Sequence, residues 1–208
     1  ITTDLDDNQI TAFHPGAMNH SHENRIDADL GATLAIIGPD GKEGMLQHSR
    51  QCAALGIPFL FDPGQGLPMF SSEELFEMVR LADYLAVNDY EGKLLEQKTG
   101  RSLEDLAREL KALVATRGAR GSVLMAGGKR IEIPAVSAET VVDPTGCGDA
   151  YRAGLLYGIG EGWDWESTGR LASLMGAIKV AYRGPQNHRP SRDEIADRYK
   201  KAFGSSPF

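Results

Sequence analysis

The sequence predicts an α/β fold with a mostly parallel central sheet and helices on both faces. Short apolar runs of strand length alternate with amphipathic segments of helical length from about residue 32 onwards. The segments between these runs are long enough for crossover connections, which are right-handed in such sheets. The most distinctive loops follow the predicted strands, at the edge where parallel sheets bind ligands.

The first half of this pattern contains three strands, each followed by a helix. Gly56 is typical of a helix end, and Ser71 or Ser72 is typical of a helix start. The predicted strands cover 33–37, 57–61 and 84–87, and the predicted helices cover 42–55, 72–81 and 90–98.

The second half adds a hairpin and a group of helices. We expect a helix over 103–113 that merges into a short strand at 113–116. Apolar runs on either side of the turn at 126–129 predict a hairpin over 121–133. Three further helices are predicted at 147–160, 166–182 and 191–203.

The start of the chain has a different pattern. Residues 8–13 alternate polar and apolar side chains, as in a strand with one covered face. The sequence before them offers no evident partner strand, and the chain begins at Ile1 rather than at methionine. We therefore expect either a processed chain or one from which an N-terminal part is missing.

Composition excludes some classes of function. With 208 residues, 41% of them hydrophobic, the chain can bury one sizeable core. A net charge of -7 argues against nonspecific binding to nucleic acid or to anionic membranes. Residues 1–4 lack a signal-peptide pattern, and no apolar run has transmembrane length. Cys52 and Cys147 are too few for a disulfide framework or a metal cluster, so we expect a cytoplasmic protein.

A glycine-rich junction at 141–150 is the most informative segment. Gly146 and Gly148 join an apolar stretch to a helix start, where backbone amides and the helix dipole favour an anion such as phosphate. Asp149 lies in the first helical turn, where it could take a proton from an alcohol that attacks that phosphate. The alternative is an ordinary helix start whose acidic residue only offsets the dipole.

Two other loops at predicted strand ends carry polar groups. Asn88 and Glu91 are spaced to hold a hydrated Mg²⁺ from one face of a helix start. The same spacing is that of a capping box, which needs no ligand. Thr116, Gly118 and Gly121 could bring a hydroxyl and amides to a polyphosphate, although glycines are also common turn residues.

Several other functional motifs do not occur in the sequence. It contains neither a G-x-x-x-x-G-K-[ST] P-loop nor a G-x-G-x-x-G fingerprint after a strand. It also contains no H-E-x-x-H, C-x-x-C or G-x-S-x-G motif. Classical P-loop, dinucleotide, zinc-protease and serine-hydrolase functions are therefore disfavoured.

Three of these segments together resemble the ribokinase-like family, also called the PfkB carbohydrate kinases. The run at 142–150 resembles the family signature D-x-x-G-x-G-D. Asn88-Asp89-Tyr90-Glu91 is similar to its N-x-x-E motif, and residues 116–121 are similar to its T-x-G-x-x-G nucleotide loop, in the family's order. The resemblance implies a three-layer core with a partial β lid at the N-terminus.

The resemblance also implies roles at the phosphate. Asp149 would be the base that deprotonates the acceptor hydroxyl, and the amides of Gly146, Cys147 and Gly148 would stabilise charge on the transferring phosphate. Asp143 and Thr145 correspond to positions that often help to bind a monovalent cation, with K⁺ as the candidate.

The nucleotide and its metal follow from the same resemblance. Asn88 and Glu91 would organise Mg²⁺ through water. Thr116, Gly118 and Gly121 would border ATP, and Ser173 on the penultimate helix is a weaker candidate near the adenine.

The acceptor is predicted from the N-terminal segment. Residues 2–18 resemble the lid strand and the P-G-A stretch of the family, most closely in its nucleoside kinase branch. Phe13 would contact a base or a sugar. A purine nucleoside kinase of the adenosine type is thus placed ahead of a ribose or other sugar kinase, with a small-molecule substrate and neither nucleic acid nor membrane as partner.

The resemblance divides the chain into two parts. Residues 1–28 would be a remnant of the lid strand and its connection, and residues 29–208 the nucleotide-binding and catalytic core. The family's N-terminal region, with the acidic residue that grips sugar hydroxyls, has no counterpart here, so a nucleotide-binding remnant without kinase activity stays open. A lid strand with an exposed edge also leaves a homodimer open.

Overall fold

The computed structural model describes residues 2–3, 9–10, 12–205 and 208. Its strands are β1 (Thr2–Thr3), β2 (Gln9–Ile10), β3 (Ala35–Ile37), β4 (Phe59–Phe61), β5 (Tyr84–Asn88), β6 (Ala112–Thr116), β7 (Ser122–Ala126) and β8 (Lys129–Ile133). Its α-helices are α1 (Lys42–Leu55), α2 (Ser72–Leu81), α3 (Asp89–Thr99), α4 (Leu103–Ala107), α5 (Cys147–Gly160), α6 (Trp165–Val180) and α7 (Arg192–Phe203).

The central sheet has six strands in the order β3-β4-β5-β6-β7-β8. The first four are parallel, and the hairpin of β7 and β8 adds two antiparallel strands beside β6. The hairpin turns at Gly127 and Gly128, which both have positive φ. The predicted mostly parallel sheet is confirmed, and so is the predicted hairpin.

Helices cover both faces of this sheet. Phe59 and Phe61 on β4 pack into a core formed with α1, α2, α3 and α4. Leu60, between them, packs on the opposite face with residues of α5 and α6. This alternation explains why β4 is an unbroken apolar run, since both of its faces are buried. A smaller cluster joins α6 to α7.

The helix boundaries follow local signals in the sequence. Helix α1 ends at Gly56, whose φ of 67° is left-handed. Helix α2 begins with a capping box in which Ser71 and Glu74 satisfy each other's backbone amides. The predicted start and end of these helices are therefore confirmed.

The helix predicted over 103–113 is shorter in the structure. Helix α4 ends at Ala107, and the amides of 108–110 bond to carbonyls three residues back, which tightens the chain into turns. Lys111 then donates its amide to Asp83 O, and Ala112 pairs with Tyr84 of β5. Pairing with the neighbouring strand thus overrides helical propensity from residue 111 onwards.

The strand predicted over 8–13 is also revised. Only Gln9–Ile10 is a described strand, and Phe13 lies beyond it. Strand β2 pairs antiparallel with Thr2–Thr3, so an upstream partner does exist, contrary to our expectation. The rest of the predicted strand and most of the lid segment before residue 12 lie outside the described residues.

Both cysteines of the chain lie in helices. Cys52 is a fully buried free thiol in α1, and Cys147 is a free, half-buried residue at the start of α5. Burial raises the pKa of both thiols. Within the described ranges, no helix combines the length and hydropathy needed to cross a bilayer.

A pair of leucine variants tests this description of the core. Leu85 on the central strand β5 is fully buried, whereas Leu55 at the end of α1 is 41% exposed. We expect Leu85→Ala to lower the free energy of unfolding by about 2–5 kcal/mol, because it removes buried methyl groups and leaves a cavity. Leu55→Ala should cost only about 0.5 kcal/mol. Urea unfolding of both variants measures the difference, and equal losses would contradict the assignment.

Candidate active site

The loops that follow β4, β5 and β6 lie at the carboxyl edge of the parallel strands. Asp62 directly follows β4, and Asn88 ends β5 opposite Thr116, which ends β6. Arg120, in the loop after β6, pairs with Asp89 at 2.7 Å and so joins that loop to the start of α3. The structure thus brings the loops after β4, β5 and β6 to one edge, as the sequence predicts.

The glycine turn before α5 has the backbone expected of an anion site. Gly146 is the N-cap residue with a φ of 82°, and a Cβ there would lie 2.8 Å from Pro185 Cβ. Ala150 donates the first helical hydrogen bond to Gly146 O, so the amides of Gly148 and Asp149 precede it. The amide of Cys147 donates to Pro144 O at 3.1 Å. The turn therefore presents a helix N-terminus to the edge of the site.

Asp149 lies in the first turn of α5 and is exposed. Its charge contributes to the electrostatic environment of Arg152, one helical turn later. The sequence predicts this position in the first helical turn, and the role of Asp149 as a base stays a prediction.

A buried ion pair connects α5 to the strand edge. Arg152 donates from Nε and Nη2 to the two carboxylate oxygens of Asp62, at 2.6 and 2.8 Å. Its Nη2 lies 3.9 Å from Glu91 Oε2, and its Nη1 donates to Gly148 O at 3.4 Å. The side chains of Arg152 and Asp62 are only 10% and 8% exposed. Burial alone would lower the pKa of Arg152, but the neighbouring carboxylates outweigh it and raise the pKa.

The Asn88–Glu91 pair is a capping box in the structure. Asn88 Oδ1 accepts the amide of Glu91, and Glu91 Oε2 accepts the amide of Asn88, both at 2.8 Å. Burial raises the pKa of Glu91, although the Asn88 amide and Arg152 act in the opposite direction. The pair thus starts helix α3, and its contribution to a metal site stays a prediction.

The predicted nucleotide loop is compact. Arg117 N donates to Gly121 O at 2.8 Å, and Gly121 N donates to Gly118 O at 3.0 Å. A Cβ at Gly121 would lie 2.2 Å from Ile133 O, so only glycine fits there. Gly118 is exposed, and Thr116 Oγ1 lies 3.5 Å from Val87 O. These residues form a hydrogen-bonded loop at the strand edge.

Asp143 fixes the base of the glycine turn. Its carboxylate accepts the amide of Thr145 at 2.9 Å and the amide of Gly184 at 2.7 Å. These two amides, helped by the Thr145 side chain and then by the charge of Lys179, lower the pKa of Asp143 to about 2. Asp143 therefore clamps the turn before α5 to the loop after α6.

The surroundings of Ser173 and Phe13 do not test the ligand contacts predicted for them. The Ser173 hydroxyl is buried, donates to Pro134 O at 2.8 Å and accepts the Val136 amide at 3.1 Å. Phe13 is 64% exposed just after the β1–β2 pair. Adenine contact by Ser173 and substrate contact by Phe13 stay predictions.

Sequence reasoning did not single out three residues of this region, namely Asp62, Arg152 and Lys179. Asp62 was visible only as part of a loop after a strand. Arg152 follows Asp149 by three residues, which places both on one side of α5, and this spacing was an available signal. Lys179 falls in an apolar helix, where a lysine is unusual unless its charge has partners.

The fold and the loops at this edge define an α/β protein of the ribokinase-like class. The chain belongs to the pfkB family of carbohydrate kinases, whose family model matches residues 1–192. The family resemblance that the motifs predict is thus confirmed.

Individual relatives refine the comparison. The chain is 55% identical to the nucleoside kinase of Burkholderia thailandensis, solved in complex with inosine, with a TM-score of 0.93 over 99% of this chain and 68% of that one. It is 33% identical to a nucleoside kinase of Methanocaldococcus jannaschii over 97% of this chain and 66% of that protein. It is also 30% identical to a ribokinase of Bacillus subtilis over 71% of this chain and 48% of that protein. The chain therefore spans about two thirds of the length of these nucleoside kinases.

The buried ion pair leads to a stability prediction. We expect Arg152→Met to lower the free energy of unfolding by about 3–5 kcal/mol, because it leaves the Asp62 carboxylate buried without its partner. Adding Asp62→Asn should recover part of this loss. The control is Arg50→Met, which breaks the exposed pair with Glu77 and should cost about 1 kcal/mol at most. Urea unfolding of the two single variants and the double variant gives a double-mutant cycle. Purely additive losses of unfolding free energy at Asp62 and Arg152 would contradict the pairing.

The Asp143 clamp leads to a prediction on pH. Because the pKa of Asp143 falls from 3.8 to about 2 on folding, its ionised form stabilises the protein above pH 3.8, and this stabilisation is lost as the pH falls towards about 2. Asp143→Asn cannot accept both amides and should be less stable than wild type above pH 3.8. We expect the two curves of unfolding free energy against pH to converge at the acid end. Parallel curves would show that the clamp is not ionic.

Proposed function

We propose that this protein transfers a phosphoryl group from ATP to the hydroxymethyl group of a nucleoside. The observation that carries the proposal is the exposed carboxylate of Asp149 in the first turn of α5, beside a glycine turn that offers its amides to an anion. General base and phosphate-binding amides are the two groups that such a transfer requires from a protein.

The chemistry assigned to the site is in-line transfer. The substrate hydroxyl loses its proton to Asp149 as its oxygen forms a bond to the γ-phosphorus of ATP, and the bond to the ADP oxygen breaks. The amides at Gly146, Cys147 and Gly148 stabilise the negative charge on the phosphoryl oxygens. The amide of Cys147 would first have to exchange its bond to Pro144 O for one to the phosphate.

We assign the nucleotide to the loop after β6. Thr116, Gly118 and Gly121 border it in this proposal, with Ser173 as a weaker contact near the adenine. The Burkholderia thailandensis nucleoside kinase, also solved in complex with ADP-inosine, supports binding of a nucleotide and a nucleoside by this fold. The backbone hydrogen bonds within this loop and its ion pair to α3 suit a site that positions a polyphosphate.

Mg²⁺ fits the residues at the start of α3. Within the described part of the chain, no group of three or more His, Cys, Asp or Glu side chains could hold a metal ion. Mg²⁺ keeps several waters and is bound largely by substrate phosphates, so one or two protein oxygens are enough for it. Glu91, with its side chain 13% exposed, and Asn88 would hold it through water. When bound, the ion neutralises charge on the phosphates.

The acceptor proposed first is a purine nucleoside such as inosine or adenosine, with Phe13 against its base or sugar. The similarity to the nucleoside kinases reported above supports this choice. The chain is also similar, though less so, to the Bacillus subtilis ribokinase, which supports a sugar acceptor as the second candidate. A nucleotide-binding protein without turnover is the third. We place this activity in the cytoplasm, with a small molecule as the partner.

Replacing the base tests the proposal. We expect Asp149→Asn to lower turnover by about 10²–10⁴-fold, since it removes the proton acceptor, while ATP affinity stays close to that of the wild type. Asp197→Asn, which alters an exposed carboxylate on α7, is the matched control and should leave both unchanged. ADP release on a panel of nucleosides and sugars measures turnover, and calorimetry measures ATP binding.

The same experiment distinguishes the candidates. Turnover of inosine and adenosine in preference to ribose supports the nucleoside kinase, and the reverse order supports the sugar kinase. ATP binding with no turnover of any acceptor by the full-length protein would leave the non-catalytic candidate. Unchanged turnover in Asp149→Asn would overturn the role of this carboxylate.

A further inference from the structure

Lys179 carries a buried positive charge directly beneath the glycine turn. It lies in the last turn of α6, and its side chain is fully buried. Its ammonium donates to Asp143 O at 2.6 Å and to Tyr182 O at 3.1 Å. A buried ammonium is costly unless it is paired, so these two carbonyls and the nearby Asp143 carboxylate must compensate it.

The surroundings of this ammonium are those of a site for a monovalent cation. Backbone carbonyl oxygens are the ligands that replace the hydration shell of K⁺ in proteins. Here two such oxygens converge on one point, and the Asp143 carboxylate supplies a negative charge that interacts with Lys179. The ammonium of Lys179 occupies that point.

The residues predicted to bind K⁺ therefore do not fit a resident cation. The two carboxylate oxygens of Asp143 accept the amides of Thr145 and Gly184, and its carbonyl accepts the Lys179 ammonium. Thr145 is engaged as well, since its amide and its side chain both bond to the Asp143 carboxylate. A second positive charge placed here would face the ammonium at close range without a free carboxylate to compensate it.

We propose that the Lys179 ammonium is a built-in replacement for the monovalent cation, and that it holds the phosphate-binding turn in place without added K⁺. This inference rests on the proposed kinase function, because the turn matters for catalysis only if it binds a phosphoryl group. Lys179 is a positioning residue in this scheme, since it acts on the turn through Asp143 and does not touch the substrate.

Several contacts connect the ammonium to the turn. Val142 N and Asp143 N both donate to Val180 O, at 2.9 and 3.1 Å. Gly184 N binds the Asp143 carboxylate, and Pro185 packs against Gly146, where a Cβ would not fit. Lys179 thus joins the segment before Gly146 to the segment before Pro185. Its charge also adds positive potential below the amides that receive the phosphate.

Three forms of the full-length protein test the replacement, each assayed in KCl and in tetramethylammonium chloride at matched ionic strength. The wild type should show the same kinase activity and the same melting temperature in both salts. Lys179→Ala opens space beside the two carbonyls, so its activity should fall by about 10–100-fold in tetramethylammonium and recover in KCl. Lys179→Met fills the space without a charge and should lose activity in both salts.

The melting temperature provides a readout that does not depend on catalysis. KCl should raise that of Lys179→Ala relative to tetramethylammonium chloride and leave that of Lys179→Met unchanged. If Lys179→Ala folds only in KCl, that result supports the proposal as well. Lys200→Ala, which removes an exposed lysine on α7, is the control and should behave as the wild type.

The outcomes that overturn the proposal are specific. Activation or thermal stabilisation of the wild type by KCl would show that a cation binds despite Lys179. Full activity of Lys179→Met, or equal activity of Lys179→Ala in KCl and in tetramethylammonium chloride, would show that the ammonium has no such role. If the wild type turns over no acceptor, the proposed function fails, while the melting temperatures still decide whether K⁺ takes the place of the ammonium.

Discussion

The arrangement of the site depends on the ion pair between Arg152 and Asp62. Helix α5 lies far along the chain from β4, and this pair fixes the first turns of the helix against the carboxyl edge of the sheet. The guanidinium also lies near Glu91 and bonds to Gly148 O, so the glycine turn, α3 and β4 share one buried charge. Without the guanidinium, the carboxylates of Asp62 and Glu91 would be brought together with no positive charge to offset their repulsion.

Much of the fold was predictable from the sequence because its signals are local. Gly56 ends a helix since the left-handed conformation costs glycine little, and Ser71 begins one since its hydroxyl satisfies an amide in the first turn. The order of the loops at the strand ends followed from parallel topology, which places Asn88 opposite Thr116. These features depend on residues close in sequence, or on the general rule that the carboxyl ends of parallel strands lie at one edge of a sheet.

The features that sequence reasoning missed depend on distant parts of the chain. Asp62 and Arg152 are 90 residues apart, and Lys179 reaches the Asp143 carbonyl across 36 residues. Helix α4 ends early because Lys111 and the residue after it pair with a strand that begins at Tyr84. The local sequence can suggest that such a charge has a partner, but it does not identify the partner, since burial and charge compensation arise only when the elements pack.

The capping box of α3 has a consequence for how this region can evolve. Glu91 Oε2 accepts the Asn88 amide at the start of the helix, and the same oxygen faces the Arg152 guanidinium. A substitution of Glu91 therefore affects both the helix start and the buried charges. Glutamine could still accept the Asn88 amide, but it would give up the negative charge. A change at this position should therefore require a compensating change of charge near Arg152, even where the helix start is preserved.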